Sequence, residues 1–480
     1  MNAITRDVKT SGWDSPLAPV GLMGLAVVLA AAIGILLSGL GTGAALVLPL
    51  AAVGAIVLGV MALVRFELFV AAVLVIRSAL DSTKLSSSNA NATKGAPSGL
   101  DPAAALAVLF MVAALIYYAA ERRSGQTLPQ SRSPLRIPML AFLGAGIVSV
   151  LGSTDPKTSG LEVLRVSAVV VMVVVLERLL VKEHNLRRLM GAAFASATIP
   201  MLYAAVQALR GSGQSIGGFS RIQGTFLHPN PFSIYLTFII VMGTALFPHV
   251  SAKLQLPLLV LLGGCSVTLL LTYTRSSYIA TFVGVFVVGL FQSKRLVGVL
   301  MVAVLVVAIA VPSVSARFQD LQRSQRFSGA AGNSLVWRFS YWQQVASLAN
   351  ATPVTGIGLK MIEQRTDDAK NAHNDFLRVY VETGLLGLAT YVSMLIALAM
   401  VARRALKRAR AGFERGVAVG FAACYLAFVL LSIVSNVISQ VVILWYFFTF
   451  AVAAFAVSRY GEKAAELEAA QLEATAPVSA

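Results

Sequence analysis

Apolar residues in this chain gather into runs of about 16–22, separated by short polar breaks, and this recurrence restricts the fold more than any other feature of the sequence. A run of that length crosses about 30 Å of hydrocarbon as a helix, which satisfies its backbone N–H and C=O groups internally. Only 12% of the 480 residues are charged and 57% are hydrophobic, with a mean hydropathy of +0.79. A soluble domain carries about a quarter charged residues. The alternating ten-residue pattern of an outer-membrane barrel is missing. The expected fold class is all-α: a polytopic transmembrane helical bundle of about 12–14 spans, with one long extracytoplasmic loop containing short helices.

Spans are predicted near 18–38, 43–64, 67–80, 102–120, 137–152, 161–181, 187–208, 231–248, 255–272, 277–292, 295–312, 384–402, 416–435 and 437–458. The segment 67–80 is short and carries Arg77; if it is re-entrant, the count drops and the N-terminal orientation changes. No convincing cleavage site follows the first apolar run, which reads as a retained helix. Cys265 and Cys424 both fall inside apolar runs, so neither a disulfide framework nor a thiolate metal site is indicated.

A formal charge of +17 would point to nucleic acid in a soluble protein, but here it divides loop by loop, and no nucleic-acid partner is expected. Short basic loops hold Arg122, Arg123, Arg132 and Arg136; Lys182, Arg187 and Arg188; Lys294 and Arg295; and Arg403, Arg404, Lys407, Arg408, Arg410 and Arg415. Placing all of them in the cytoplasm satisfies the positive-inside rule with one alternation of spans. The chain then divides into a cytoplasmic tail at 1–16, a transmembrane bundle at 17–312, an extracytoplasmic loop at 313–383, C-terminal transmembrane helices at 384–458 and a cytoplasmic tail at 459–480. That last tail alternates Ala with Glu and Leu and carries no assigned chemistry.

Basic residues also stand on the outer side, where topology does not ask for them. The loop carries Arg317, Arg323, Arg326, Arg338, Lys360, Arg365, Lys370 and Arg378, and shorter outer turns add Arg210, Arg221 and Arg275. Long translocated loops escape the charge bias and arginines near helix ends snorkel to headgroups, which accounts for any one of them. An anionic ligand at the outer face accounts for all of them together.

Four outer stretches are candidates for chemistry. Arg221 to Pro231 forms a tight turn before a span; Pro at the first helical turn explains Pro229 and Pro231, but neither Arg221 nor His228. Tyr273 to Ser277 leaves Arg275 very little loop, and an arginine so close to hydrocarbon normally needs a partner; an interfacial anchor is the alternative. In Trp337-Arg-Phe-Ser-Tyr-Trp, Arg338 and Trp342 lie one turn apart, so the arginine can sit over aromatic surface while its fork faces a ligand. An aromatic-belt helix would look the same. This stretch leads on to Pro353-Val-Thr-Gly-Ile-Gly.

The fourth stretch, Ala372–Leu388, reads as a short amphipathic helix, capped at Asn371 and ending at Gly384. At helical spacing His373, Leu377 and Val381 share one face, beside a polar stripe of Asn374, Arg378 and Glu382. A lone histidine is usually structural, yet His373 sits in a polar outer loop near several arginines. Those cations favour its neutral form, the form that can accept a proton. The Asp367–Asp368 pair is the one candidate for metal-ligating carboxylates, and it reads as solvated, so no metal is expected.

His373-Asn374, nine residues, Gly384, two residues and Gly387-Leu388 resemble the signature of the O-antigen ligase and polymerase superfamily of polytopic membrane glycosyltransferases. The Gly224–Pro231 turn, Thr274-Arg275-Ser276, Arg338 with Trp342, and Gly356-Ile-Gly358 resemble family landmarks in the same order. The likeness runs from about Arg210 to Phe450. It implies transfer of a glycan from a polyprenyl diphosphate carrier to an acceptor hydroxyl at the outer face of the bacterial cytoplasmic membrane, without nucleotide sugar, metal or other cofactor. It further implies His373 as the catalytic residue, Arg275, Arg338, Arg221 and Arg317 as diphosphate-binding residues, and Asn374, Arg378, Gly384 and Gly387 in support. The expected partners are the lipid-linked glycan donor, a lipid- or glycan-linked acceptor and membrane lipids.

Physical chemistry points the same way, since a leaving diphosphate needs cationic donors and an attacking hydroxyl needs a positioned base. Ligase and polymerase activities differ only in the acceptor, which the loops do not name. A flippase for the same lipids is the reading from another class; it predicts charges along the middle of several spans, whereas these arginines gather at one face.

Overall fold

The computed structural model describes residues 44–81, 102–123, 132–216, 219–311, 314, 334–366 and 370–475. The span expected at 18–38, Arg317 and the Asp367–Asp368 pair lie outside the described residues. Among the described residues nine helices are long and apolar enough to cross a membrane: Ala103–Arg123, Pro156–Leu179, Glu183–Arg210, Pro229–His249, Ala252–Leu271, Arg275–Gln292, Asp375–Arg408, Phe413–Val434 and Val441–Gln471. Arg136–Gly152 and Val53–Val64 are shorter apolar helices. Lys294–Ala310 is a further apolar helix with no buried side chain. The polytopic helical membrane protein expected from the apolar runs is what forms.

Phe66–Arg77 is helical, but its 12 residues rise only about 18 Å, too little to cross the hydrocarbon alone.

Packing sorts the helices where hydropathy does not. The apolar stretch of Val441–Gln471 lies wholly inside, with Trp445 against Phe110 at 4.8 Å, Tyr446 against Tyr235 at 4.8 Å and Phe447 stacked on Phe428 at 4.2 Å. Ala252–Leu271 turns most of its surface outward, with Leu256 and Val260 exposed. Lipid offers no hydrophobic reason to bring helices together, so close approach depends on small residues. Gly416 and Gly420 supply it on Phe413–Val434, where a Cβ would meet Ala245 and Met242 of the neighbouring helix.

The segment after Arg210 contains a small antiparallel hairpin, with Gln214 opposite Arg221 and Ile216 opposite Phe219. One local feature differs from expectation. The histidine motif does not form the separate helix expected over Ala372–Leu388. Asn374, and not Asn371, is the cap: its Oδ1 accepts the Leu377 N–H at 3.1 Å. His373 precedes the helix with φ +53° and so shares no helical face with Leu377 and Val381.

Gly384 breaks the helix Asp375–Arg408 without ending it, at φ 68° and ψ −167°. The chain continues through the break because a strap from Pro353 to Gly358 crosses it and takes up the freed backbone groups. Ile357 N–H donates to Val381 O and Gly358 N–H to Glu382 O, both at 3.0 Å, while Leu385 N–H donates to Pro353 O at 2.9 Å and Leu386 N–H to Val354 O at 3.3 Å. Both glycines are required by the closeness of this crossing. A Cβ on Gly384 would overlap Val354 O, and one on Gly356 would overlap the Glu382 carbonyl. Both also hold positive φ. Gly384→Ala and Gly356→Ala should each cost about 2–4 kcal/mol and reduce the folded fraction seen by size exclusion in detergent. Gly144→Ala, with nothing within 4 Å, should behave as wild type.

Candidate functional site

The segments that the charge pattern assigns to one side of the membrane meet at one end of the bundle. Ser159 Oγ donates to Leu359 O at 2.9 Å, Arg221 bonds the turn at Thr272 and Thr274, and Arg338 bonds Val434 O at the end of Phe413–Val434. Basic residues assigned to the other side meet at the opposite end, where Arg410 pairs with Glu183 and Glu414.

His373 lies on a platform made by the helix Ser334–Ser347. Trp342 Nε1 donates to Ala372 O at 2.6 Å, and the Tyr341 hydroxyl donates to Lys370 O. Trp337 stacks on Tyr341 at 4.9 Å and faces the His373 ring in an edge arrangement at 6.1 Å. Lys370 Nζ sits 4.7 Å over the Trp337 ring, so the cation on this aromatic surface is a lysine, while Arg338 Nη1 donates to Val434 O at 3.1 Å. These contacts hold His373 in its left-handed backbone conformation, which costs a non-glycine residue about 1–3 kcal/mol.

On its far side, His373 Nδ1 lies 3.3 Å from the Asn436 amide. Burial holds the imidazole down to about 4, and Arg338, His228 and Lys370 push in the same direction. The ring is therefore neutral at pH 7, with a lone pair available on one nitrogen.

His228 is the second histidine at this end, near enough to His373 for the two rings to disfavour each other's protonation. Its Nδ1 accepts the Asn230 N–H at 3.1 Å, capping the helix Pro229–Leu246, so in the neutral ring the proton sits on Nε2. Burial first, then Arg221, brings it down to about 4. Arg221 is buried, and its guanidinium donates to Thr272 O at 2.7 Å and to Asn230 Oδ1 and Thr274 Oγ1 at 2.8 Å each. It thus fixes both His228's helix and the turn that carries Arg275, a half-buried residue at the start of Arg275–Gln292.

Of the other residues singled out in the sequence, Arg378 is buried and spent on structure: Nε donates to Glu382 at 2.9 Å and Nη1 to Asn371 Oδ1 at 2.7 Å. Asn374 is the helix cap and Gly384 the break; a Cβ on Gly387 would overlap the Thr383 side chain. Among the described residues no three His, Cys, Asp or Glu side chains come together as a metal site.

Sequence reasoning missed Asp375 and Asn436 as neighbours of this centre and did not single out Lys370 from the other basic residues of the loop. Asn436 had a readable signal, since four of the six residues of Ser435–Gln440, between two apolar helices, are polar. Asp375 is fully buried, and its carboxyl accepts the N–H groups of Val437 and Ile438 at 3.1 and 3.2 Å.

A folded-state pKa below the ordinary 6.5 means that this group's contribution to stability is complete above that value and is lost as pH falls toward about 4. Diethyl pyrocarbonate acylates only the neutral ring. Modification of His373, followed by peptide mass spectrometry, should persist to well below pH 6.5 with a midpoint near 4, and a midpoint at 6.5 would contradict this electrostatic picture.

A comparison with curated proteins gave no match. Residues 258–392 match the model of the family described as O-antigen ligase. The matched range takes in Arg275, Arg338, the strap and the His373 motif, and it supports the O-antigen ligase and polymerase superfamily for this multi-pass membrane protein.

Proposed function

We propose that this protein transfers a glycan from a polyprenyl diphosphate carrier to an acceptor hydroxyl at the outer face of the bacterial cytoplasmic membrane, as a ligase of surface polysaccharide biosynthesis. The observation that carries the reading is a neutral histidine flanked by cations at one end of a membrane bundle. A base that must take a proton at neutral pH has to be unprotonated, and a leaving diphosphate has to be met by positive charge. The neutral ring and the cations beside His373 support this reading.

The donor enters from the bilayer with its tail between helices. Its diphosphate meets Arg275 and Arg338, with Arg221 adding positive charge from behind the Thr272–Arg275 turn; Arg317 belongs to the same proposed set. His373 removes the acceptor's hydroxyl proton as that oxygen attacks the anomeric carbon. The bond from this carbon to the diphosphate oxygen breaks, the electron pair leaves with the diphosphate, and the anomeric configuration inverts. No step calls on a metal or nucleotide, since the arginines carry the charge. Polymerisation of repeat units uses the same chemistry with a second lipid-linked glycan as acceptor.

The test is transfer by purified protein in nanodiscs, with an undecaprenyl diphosphate-linked oligosaccharide as donor and each candidate acceptor supplied separately. His373→Ala should lower the rate by about 10²–10⁴-fold without reducing the amount of folded protein. Transfer to a lipopolysaccharide core or another distinct acceptor identifies a ligase, and lengthened lipid-linked chains identify a polymerase. Wild-type rates in His373→Ala would remove the base from the scheme.

A further inference from the structure

Asn436 stands in the break between the helices Phe413–Val434 and Val441–Gln471 and is only 9% exposed. Its amide meets His373 Nδ1 at 3.3 Å. The geometry on both sides of this contact is pinned. Val437 and Ile438, the next two residues, donate their N–H groups to Asp375, which follows His373 by two positions. Ser439 Oγ donates to Asn436 O at 3.0 Å, and Gln440 N–H to Val437 O at 3.0 Å, closing the loop on itself. One buried carboxyl therefore clamps the amide and the imidazole together.

A histidine acting as a base needs its proton fixed on one nitrogen and its lone pair free on the other. If the Asn436 NH2 group faces Nδ1, that nitrogen is the acceptor, the proton sits on Nε2 and the ring has no base to offer. In that arrangement Oδ1 is also buried without a hydrogen-bond partner, which is unfavourable for an amide oxygen. If Oδ1 faces Nδ1, it accepts the Nδ1–H and leaves the Nε2 lone pair free. The group left over is then an NH2 donor, two residues from the carbonyl that Arg338 grips, and an anionic oxygen of the donor lipid would satisfy it.

We propose that Asn436 is a positioning residue whose amide oxygen accepts the Nδ1–H of His373, fixing Nε2 as the atom that takes the acceptor's proton. The proposal rests on His373 being the base. As Nε2 gains that proton the ring becomes an imidazolium, and the same amide oxygen stabilises it through Nδ1.

The experiment measures kcat and KM against pH for Asn436→Leu, Asn436→Asp and His373→Ala in the full chain, with undecaprenyl diphosphate-linked oligosaccharide as donor and lipopolysaccharide core or a second lipid-linked oligosaccharide as acceptor. Asn436→Leu should lower kcat by about 10²-fold with little change in donor KM, the scale of a misplaced catalytic group. Asn436→Asp keeps an acceptor at Nδ1 and adds a negative charge, so it should retain activity and move the acidic limb of the profile up by about one pH unit. Wild-type kcat in Asn436→Leu, or an unmoved acidic limb in Asn436→Asp, would overturn the proposal. The isosteric Asp variant decides alone if the Leu variant fails to fold. Loss of activity in His373→Ala with full activity in Asn436→Leu removes only the positioning role, whereas activity retained by His373→Ala removes the base itself.

Discussion

A broken helix next to a membrane has to find partners for the peptide groups that the break sets free, and this requirement shapes the end of the bundle that carries His373. At Gly384 the partners come from the strap Pro353–Gly358, whose four hydrogen bonds carry the helix Asp375–Arg408 through a backbone conformation open only to glycine. Because the strap must lie directly on the helix backbone, the preceding chain is drawn over the bundle. The helix Ser334–Ser347 is thereby brought against the motif, and with it Trp337, Arg338, Tyr341 and Trp342.

A second fastening works from the other direction. Asp375 has no exposure, and its carboxyl joins the start of the motif helix to the loop leading into Val441–Gln471, the most enclosed span. Between the strap and this carboxyl, His373 is held outside the helix, in a left-handed conformation it would not choose alone. Its surroundings then set its chemistry, because burial and nearby cations disfavour the charged ring.

Much of the fold was legible because membrane spans announce themselves by length and composition. The excess of arginine at Arg221, Arg275 and Arg338 was legible too, and the structure joins the Arg221 segment to the turn before Arg275 and Arg338 to the end of Phe413–Val434. What the sequence concealed depends on contacts between distant residues. Arg378 looks like a ligand-binding arginine on a polar stripe, but Glu382 and Asn371 consume it. His373 fits a helical face by spacing, yet the cap falls one residue later, at Asn374, and the ring leaves the helix. Gly384 carries the signature of a helix terminus, and only the strap makes it a break in a longer helix. Asn436 is an ordinary loop residue until the Asp375 clamp sets it against the imidazole.

The central claim is that one end of the bundle holds a lipid diphosphate beside His373. The most direct measurement is a cryo-EM structure of the protein in nanodiscs with a polyprenyl diphosphate. The account predicts diphosphate density in contact with Arg275 or Arg338 and within one sugar's reach of the His373 ring. Density at the opposite end instead, on the basic loop from Arg403 to Arg415, would contradict it.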